Sequence, residues 1–326
     1  MKDVKTCSPL VSIIIANYNY GRFLEDAIQS IIAQDMGDEV ELIICDAAST
    51  DNSVEIIKKY ANGLPPNTPY AEWMSRANSQ LPTNTAQLIT WWCSEADGGQ
   101  SAAFNKGFSH ARGKFLTWLN ADDVLLPGTI DKRKEAIEKY PECEWFVGGV
   151  LWLDVNLRVF KCGRARRMSH FRAKRGLVNV CGPSSFFSKD LYERAGKIDE
   201  RFKYTMDSDL WLRFAIINGV TFKAFVKYAW GLRLHPDAKM SGHKVTADGK
   251  ILDGHASELA FARKTDRQRQ LDSEYQWSDT KIGFVRKRIP WVLQLASADV
   301  LPALMSRVDS FYYKGHLLCD VVAKLI

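Results

Sequence analysis

Residues 10–16 read LVSIIIA, a short run of mostly β-branched side chains. Such a run is typical of a strand that is buried on both faces, as the strands of a parallel sheet are. Residues 23–32 place apolar side chains three and four positions apart, which predicts a helix with one apolar stripe. A second strand is predicted at 40–45, and a second helix after the capping residues 49–51. The chain therefore opens with the alternation of strand and helix that builds a parallel sheet.

This alternation is interrupted once and then resumes. Residues 62–86 contain four prolines among many Asn, Thr and Ser residues, so they predict a long loop or an insertion. A strand at 87–93, a helix at 101–111 and a strand at 114–119 follow. The repeated pattern predicts an α/β fold with a mostly parallel sheet, right-handed crossovers and helices on its faces.

The composition is that of a soluble globular protein. Of the 326 residues, 46% are hydrophobic and 25% are charged, which is far from a disordered composition. The seven cysteines form no CxxC pair, which favours reduced thiols over a zinc site or a disulfide framework. The first ten residues lack the apolar core of a signal peptide, and no run approaches the ~20 apolar residues that span a bilayer. We therefore expect a cytoplasmic protein.

Polar or acidic residues follow each of the four predicted strands. In parallel sheets ligands bind beyond the carboxyl ends of the strands, so these residues are candidates for a binding site. They are Asn17, Tyr18 and Asn19 after the first strand, Asp46 after the second, Glu95 and Asp97 after the third, and Asn120, Asp122 and Asp123 after the fourth. Converging carboxylates repel one another unless a cation lies between them, and oxygen ligands favour Mg²⁺ or Mn²⁺. The alternative is that Asp122 and Asp123 only cap the helix that begins near Pro127.

Two common nucleotide-binding motifs are absent from the sequence. No GxGxxG follows the first strand, and neither GxxxxGKS nor GxxxxGKT occurs. The dinucleotide fingerprint and the Walker phosphate loop are thereby excluded, so a nucleotide would be bound in another way.

Four blocks of sequence carry a resemblance to a known family. They are SIIIANYNYGRFLEDAIQSI (12–31), CDAASTDNS (45–53), SEADGGQSAAFNKGFSHARGKFLTWLNADD (94–123) and TMDSDLWLRF (205–214). In this order they resemble the inverting family 2 glycosyltransferases with the GT-A fold, of the bacterial surface polysaccharide type. The resemblance implies a nucleotide-sugar-binding half at 8–126, an acceptor-binding half of the same domain at 127–247, and a helical C-terminal extension at 248–326.

The resemblance also implies roles for individual residues. Asp46 would touch the nucleobase, within a donor-binding set made up of Ala16, Asn17, Tyr18, Asp46, Asp97, Lys106 and Asp122. The metal ligands would be Asp123 and Asp122, with Asp123 favoured as the ligand and Asp122 nearer the ribose or sugar, and His235 would be a further candidate ligand. Arg233 and Lys239 flank His235 and would serve the phosphates. The cofactor would be Mn²⁺ or Mg²⁺.

Asp207 resembles the catalytic base of the family. Helical spacing turns its neighbour Asp209 about 200° away, so the two cannot serve the same substrate atom. The alternative for Asp207 is an ordinary helix cap. Met206 replaces a Glu of many relatives and Asn120 replaces a common Asp, which leaves open a catalytically inactive nucleotide-sugar-binding module. A sugar nucleotidyltransferase is a second alternative, but residues 16–23 (ANYNYGRF) lack its Gly-rich basic loop.

The activity that the resemblance implies is metal-dependent sugar transfer with inversion. The donor would be a nucleoside diphosphate sugar, with UDP favoured by family habit, and the acceptor a hydroxyl of a glycan or lipid-linked glycan in surface polysaccharide biosynthesis. Asp207 would take the proton of that hydroxyl as it attacks the anomeric carbon, while the metal neutralises the departing diphosphate. No nucleic acid partner is expected.

Two further regions bear on partners and location. Residues 164–175 carry six cations and no acid, including Arg164, Arg166 and Arg167, and would bind acceptor phosphates or anionic lipid unless they form only a solvated loop. The C-terminal third predicts helices that either pack on the catalytic domain or a second copy in a homodimer, or lie on an anionic membrane. Cations beside Trp291 in residues 284–291 favour the membrane, and hence a peripheral location on the inner face of the cell membrane.

Overall fold

The computed structural model describes residues 8–34, 39–62, 88–165, 180, 182–239, 244–245 and 251–252, with single positions at 309, 313, 314, 316–318 and 321. The predicted insertion at 62–86 lies outside these residues except for its first position. Arg166, Arg167 and the membrane-binding sequence predicted at 284–291 also lie outside them.

The described strands form two sheets and one short pair. The large sheet contains β1 (Val11–Asn17), β2 (Val40–Asp46), β3 (Ile89–Ser94), β4 (Phe115–Asn120), β6 (Trp145–Val147), β9 (Ser185–Ser188) and β10 (Lys223–Ala224). The small sheet contains β5 (Val124–Leu125), β7 (Val150–Leu153), β8 (Val159–Gly163) and β11 (Trp230–Arg233). The pair is β12 (Lys244–Val245) with β13 (Ile251–Leu252). Where the sequence predicted the start of a helical extension, β13 is therefore a strand.

The helices lie between the strands. They are α1 (Gly21–Ile32), α2 (Ser53–Ala61), α3 (Gln100–His110), α4 (Thr129–Lys139), α5 (Lys189–Arg194) and α6 (Met206–Leu212). A π-helix at Arg213–Ile217 continues α6, and a 3-10 helix at Gly182–Ser184 precedes β9. None of the helices that the structure describes is long and apolar enough to span a bilayer.

In the large sheet, strands β1 to β4 pair in parallel, and the strands beyond β4 pair in a mixed arrangement. Its order is β10-β6-β9-β4-β1-β2-β3, and β1 pairs in parallel with both β2 and β4. Strand β9 runs antiparallel to β4 and β6. The predicted α/β sheet is confirmed, and the carboxyl ends of β1, β2 and β4 meet at one edge.

Helices cover both faces of this sheet. Because successive side chains of a strand point to opposite faces, Ile13 packs with α1 and α2, whereas Ile14 packs with α3. On the face that α3 and α6 cover, the buried indole of Trp211 stacks between those of Trp118 and Trp145. These two apolar layers hold the strand ends, and with them the polar loops that follow, in fixed positions.

The described C-terminal residues pack against the small sheet. Tyr313, Leu318 and Val321 share a buried cluster with side chains of β5, β7 and β8. Asp309 accepts a hydrogen bond from Arg164 Nε at 2.7 Å and another from the Tyr228 hydroxyl. At these positions the C-terminal third contacts the domain that the two sheets form, and Arg164 is engaged by that contact.

Glu41 joins β1 to the turn that precedes β4. Its side chain is 1% exposed and accepts hydrogen bonds from the Ser12 hydroxyl at 2.6 Å and from the backbone N–H and Nε of Arg112 at 2.6 and 2.9 Å. Burial by itself raises the pKa of this carboxyl, but the hydrogen bonds from Ser12 and Arg112 outweigh it and hold the pKa below its usual value. The ionised form of Glu41 therefore stabilises the fold.

We expect Glu41→Gln to lower the free energy of unfolding at neutral pH by about 1–3 kcal/mol. A carboxyl whose pKa is lowered in the folded state stabilises the protein above its unfolded-state pKa, and this contribution is lost as the pH falls through the folded-state pKa. The difference in the free energy of unfolding between wild type and variant should therefore be largest at neutral pH. It should shrink as the pH falls below 4.5, the ordinary pKa of this carboxyl. Urea denaturation over this pH range measures it, and a difference independent of pH would contradict a role for the ionised carboxylate.

Candidate functional site

A cavity of about 800 Å³ lies beyond the carboxyl ends of β1 and β4. Eight of the residues with a predicted role line it, namely Ala16, Asn17, Tyr18, Asp97, Asp122, Asp207, Arg233 and Lys239. Five others that the structure describes are not among the lining residues, namely Asp46, Lys106, Asp123, Arg164 and His235. The fold thus brings most of the predicted donor-binding residues and the predicted base to one cavity.

Asp46 anchors the cavity wall that β1 and β2 form. Its Oδ1 accepts hydrogen bonds from Asn17 Nδ2 at 2.7 Å and from the Ser49 hydroxyl at 2.5 Å. Its Oδ2 accepts hydrogen bonds from the Ser94 hydroxyl at 2.6 Å and from the Ser49 N–H at 3.0 Å. Both oxygens are engaged within the protein and the residue is 1% exposed. The structure therefore places Asp46 behind the wall that Asn17 forms, and not at the surface where a nucleobase contact was expected.

Tyr18 stands at the mouth of the cavity and is 59% exposed. The next residue, Asn19, has a φ of 56°, in the left-handed region that Asn tolerates better than most residues. Its N–H donates to the Ser49 hydroxyl at 2.8 Å, and its Oδ1 accepts from the Thr50 N–H at 2.8 Å. This turn holds the Tyr18 ring in reach of the cavity, where it can stack on a planar ligand.

Asp97 lies on the opposite wall, before α3. Its Oδ1 accepts a hydrogen bond from the Gly99 N–H at 2.7 Å, and Gly99 has a φ of 105°. A side chain at Gly99 would strain this turn, so the glycine allows α3 to begin at the cavity. Lys106, by contrast, donates to Glu95 at 2.9 Å away from the lining residues.

The adjacent acids Asp122 and Asp123 have different environments. Asp123 is 1% exposed and accepts hydrogen bonds from the Arg233 N–H at 2.9 Å and from Asn120 Nδ2 at 2.7 Å. Burial, and then the neighbouring Asp122, raise the pKa of Asp123 well above its usual value. Asp122 lines the cavity, with 16% of its side chain exposed. Asp122 therefore faces the ligand space and Asp123 lies behind it, and the metal and ribose roles of the two stay predictions.

His235 contacts Asp122 and is held by residues that were not predicted. Its Nε2 lies 3.1 Å from Asp122 Oδ2, and its Nδ1 lies 3.3 Å from a guanidinium nitrogen of Arg22. Because a guanidinium only donates, Nδ1 is the acceptor, and Nε2 donates to Asp122. Arg22 also pairs with Asp237 at 2.5 Å. This contact could have been expected from the sequence, because polar side chains stand at the start of α1, directly after the first strand.

Tyr20 completes this wall. Its ring packs edge-on against the His235 imidazole with centroids 5.5 Å apart, and its hydroxyl donates to the Asp237 carbonyl at 2.9 Å. Burial, and then the charge of Asp122, raise the pKa of Tyr20 to about 12. The phenol therefore stays protonated and remains a hydrogen-bond donor at neutral pH.

Arg233 lines the cavity but is 3% exposed. A terminal guanidinium nitrogen lies 2.8 Å from Asp26 Oδ2, and the guanidinium lies over the Phe23 ring at 4.7 Å. Asp26 was not predicted. Its position on α1, four residues after Arg22, puts it on the same helix face and could have been noticed.

Asp207 lines the cavity from the first turn of α6, next to Met206. Its Oδ1 accepts hydrogen bonds from the Ser208 N–H at 2.6 Å and from the Ser208 hydroxyl at 3.3 Å. Asp209 pairs with Arg213 at 2.7 Å and is not a lining residue. Of the two acids of this helix, Asp207 is the one that reaches the cavity.

The site fits a divalent cation in two respects. Asp122 places a carboxylate oxygen at the cavity, which is a donor type that Mn²⁺ accepts, and the Nε2–H of His235 holds this carboxylate at 3.1 Å. Asp122 and Asp123 are also adjacent carboxylates, and the Asp122 charge adds to burial in raising the pKa of Asp123; a cation beside Asp122 would offset that charge. Among the residues that the structure describes, no group of three or more His, Cys, Asp or Glu is arranged to hold a metal. One or two protein ligands together with substrate phosphates is the usual arrangement for Mg²⁺.

Comparison with known proteins gives a family match. The family described as Glycosyl transferase family 2 matches residues 12–72 and 92–194. An uncharacterised glycosyltransferase of Rickettsia prowazekii is 25% identical over 224 residues, which is 66% of this chain and 61% of that protein. An uncharacterised glycosyltransferase of a Nostoc species is 34% identical over 128 residues, which is 39% of this chain and 33% of that protein. The chain therefore spans less than two thirds of the length of these relatives.

A solved structure shares the fold. The crystal structure of S. aureus TarS 1-349 in complex with UDP-GlcNAc is similar with a TM-score of 0.52 at 16% sequence identity, over 87% of this chain and 77% of that protein. At this identity the likeness concerns the fold alone. The GT-A fold expected from the four sequence blocks is thereby confirmed.

Proposed function

The chain belongs to glycosyl transferase family 2 and is a glycosyltransferase, and on this premise we propose that it transfers a sugar from a UDP-sugar to a hydroxyl with inversion of configuration. One observation carries the proposal: a single cavity is lined by Asn17 and Tyr18, by Asp122 and by Asp207, and His235 lies behind Asp122. A donor, a cation and a proton acceptor can therefore meet there.

The nucleotide would lie against the wall that Asp46 anchors. Tyr18 offers an aromatic face, and Asn17 offers an amide that Asp46 and Ser49 hold in place. TarS, which shares this fold, has been crystallised with UDP-GlcNAc, and a UDP-sugar is the donor class that we propose for this chain.

Asp122 would hold the Mn²⁺ or Mg²⁺ ion, and His235, whose Nε2–H donates to Asp122, would orient that carboxylate. When bound, such an ion would neutralise the charge that develops on the departing diphosphate. Asp123 would act behind this pair, because its bonds from the Arg233 N–H and Asn120 fix the loop that carries Asp122.

Asp207 is the proposed general base. A carboxylate at the first turn of a helix, facing the ligand space, can accept the proton of an acceptor hydroxyl as the oxygen attacks the anomeric carbon. Attack from the side opposite the leaving diphosphate inverts the anomeric carbon in a single displacement. The acceptor that we propose is a glycan or lipid-linked glycan of surface polysaccharide biosynthesis, met in the cytoplasm or at the inner face of the cell membrane.

A panel of nucleotide sugars with Mn²⁺ or EDTA, scored for release of nucleoside diphosphate and for the anomeric configuration of the product, tests the proposal. We expect release from a UDP-sugar in the presence of acceptor extract, and EDTA to lower the rate by at least about a hundredfold. Equal rates in Mn²⁺ and EDTA would contradict metal dependence. Pyrophosphate release from a nucleoside triphosphate would instead indicate a nucleotidyltransferase, and binding without turnover in the presence of acceptor would indicate an inactive binding module.

A further inference from the structure

We propose that Lys239 is the side chain that contacts the donor's diphosphate, and that Gln100 positions it. This inference rests on the proposed function, because it concerns the phosphates of the same donor. Two cations flank His235 in the sequence, Arg233 and Lys239, and the structure favours Lys239 for this contact.

The cavity wall carries more acidic than basic side chains, so a protein cation besides the metal is expected near the phosphates. Among the described lining residues four are acidic, namely Asp97, Asp122, Asp207 and Asp237, and two are basic, namely Arg233 and Lys239. A nucleoside diphosphate brings at least two further negative charges into this space. A single divalent ion cannot balance such a set, so a protein cation is expected to lie against the phosphates.

Arg233 is poorly placed for this contact. Its side chain is 3% exposed and lies 2.8 Å from the carboxylate of Asp26, with the guanidinium over the Phe23 ring. Turning the guanidinium toward a ligand would leave Asp26 without this partner and would expose the ring. Lys239 is exposed and lines the cavity.

Lys239 is held by contacts with two other segments of the protein. Its Nζ donates to Gln100 Oε1 at 2.9 Å and to the backbone carbonyl of Lys203, and it lies 5.1 Å from the centre of the Tyr204 ring. The lysine thereby connects the segment after β11 with the start of α3 and with the residues just before α6. Its ammonium group therefore contacts the start of α3, which follows Asp97, and the residues that precede the helix carrying Asp207.

The orientation of Gln100 follows from the charged groups at the two ends of a hydrogen-bonded chain. An ammonium only donates, so the oxygen of Gln100 faces Lys239 and its nitrogen donates to Asn120 Oδ1 at 3.0 Å. The nitrogen of Asn120 then donates to Asp123 Oδ2 at 2.7 Å. In this series of hydrogen bonds, each donor faces an acceptor only if residue 120 is an amide. A carboxylate there could not donate to Asp123, so Asn120 suits a site in which Lys239 is coupled to the acidic pair.

The test measures binding of UDP, GDP and uridine to the full chain by calorimetry in the presence of Mn²⁺. We expect Lys239→Met to weaken binding of the nucleoside diphosphate by about tenfold or more, to leave uridine binding unchanged, and to raise the KM for the donor more than it lowers kcat. Lys239→Arg keeps the cation and should restore affinity to within about threefold of the wild type. Gln100→Ala should weaken the diphosphate contact in the same selective way but by less.

The matched control is Lys132→Met, which removes an exposed lysine that pairs with Glu135 on α4. It should leave all three affinities unchanged. Equal diphosphate affinity in wild type and Lys239→Met would overturn the inference, as would an equal loss of uridine and diphosphate binding, which would indicate a merely structural lysine. If the wild type bound neither UDP nor GDP, the proposed function itself would be contradicted, and the inference would fall with it.

Discussion

Replacing Asp207 by Asn is expected to lower kcat by about 10²–10⁴-fold while UDP affinity stays within about threefold of the wild type. The amide has the same shape and its oxygen can still accept the Ser208 N–H that Asp207 accepts at 2.6 Å, so the start of α6 should keep its structure. What the variant loses is the ability to take a proton from the acceptor hydroxyl. Initial rates at saturating donor and acceptor, together with calorimetry of UDP binding, separate these two effects.

Asp209→Asn is the matched control, because it makes the same chemical change two residues further along the helix. Asp209 pairs at 2.7 Å with Arg213, whose side chain is 1% exposed, and it does not line the cavity. This variant should lose stability, by roughly 3 kcal/mol, and keep the kcat of its folded fraction within about threefold. A wild-type kcat in Asp207→Asn, or a loss in Asp209→Asn as large as that in Asp207→Asn, would rule out Asp207 as the base.

The first half of the fold could be predicted because its signals are local. The β-branched run of β1 and the apolar stripe of α1 each reflect burial against the sheet, and both elements lie within two residues of their predicted bounds. The strands after β4 carry weaker signals, since β6, β9 and β10 have only two to four residues each. The antiparallel insertion of β9 between β4 and β6 depends on pairing between distant segments, which no local pattern encodes.

The residues of the candidate site could be predicted from the sequence. Which of them face the cavity and which are buried behind it could not. Acids that follow parallel strands converge on one edge, and the cavity lies there. Which acid faces the ligand depends on the turn after β4, where Asp123 bonds back to the Arg233 N–H, 110 residues away in sequence. The depth of Asp46 could not be predicted either. Its carboxylate accepts four hydrogen bonds from Asn17, Ser49 and Ser94, which keep the side chain in the protein interior. Hydrogen bonds of this kind between distant segments cannot be read from spacing.

The position of Asp122 at the cavity leads to the second large expected effect. Asp122→Asn should weaken Mn²⁺ binding in the presence of UDP by at least about tenfold and lower kcat/KM by about 10²–10³-fold, because it removes the cavity-facing oxygen ligand beside His235. Electron paramagnetic resonance of free Mn²⁺, titrated with protein and UDP, measures the binding without reference to turnover.

Asp237→Asn provides the control for charge, because it removes a carboxylate from the same cavity at a residue that pairs with Arg22. If Asp122 holds the ion, the Asp237 variant should keep its Mn²⁺ affinity within about threefold, since only a ligand contributes a direct bond to the metal. Comparable losses in both variants would mean that the summed charge of the cavity attracts the ion, and the assignment to Asp122 would fail. Full Mn²⁺ binding in Asp122→Asn would have the same consequence, and would return the ligand role to the buried Asp123, which would then have to give up its bond from Arg233 or Asn120 to reach the ion.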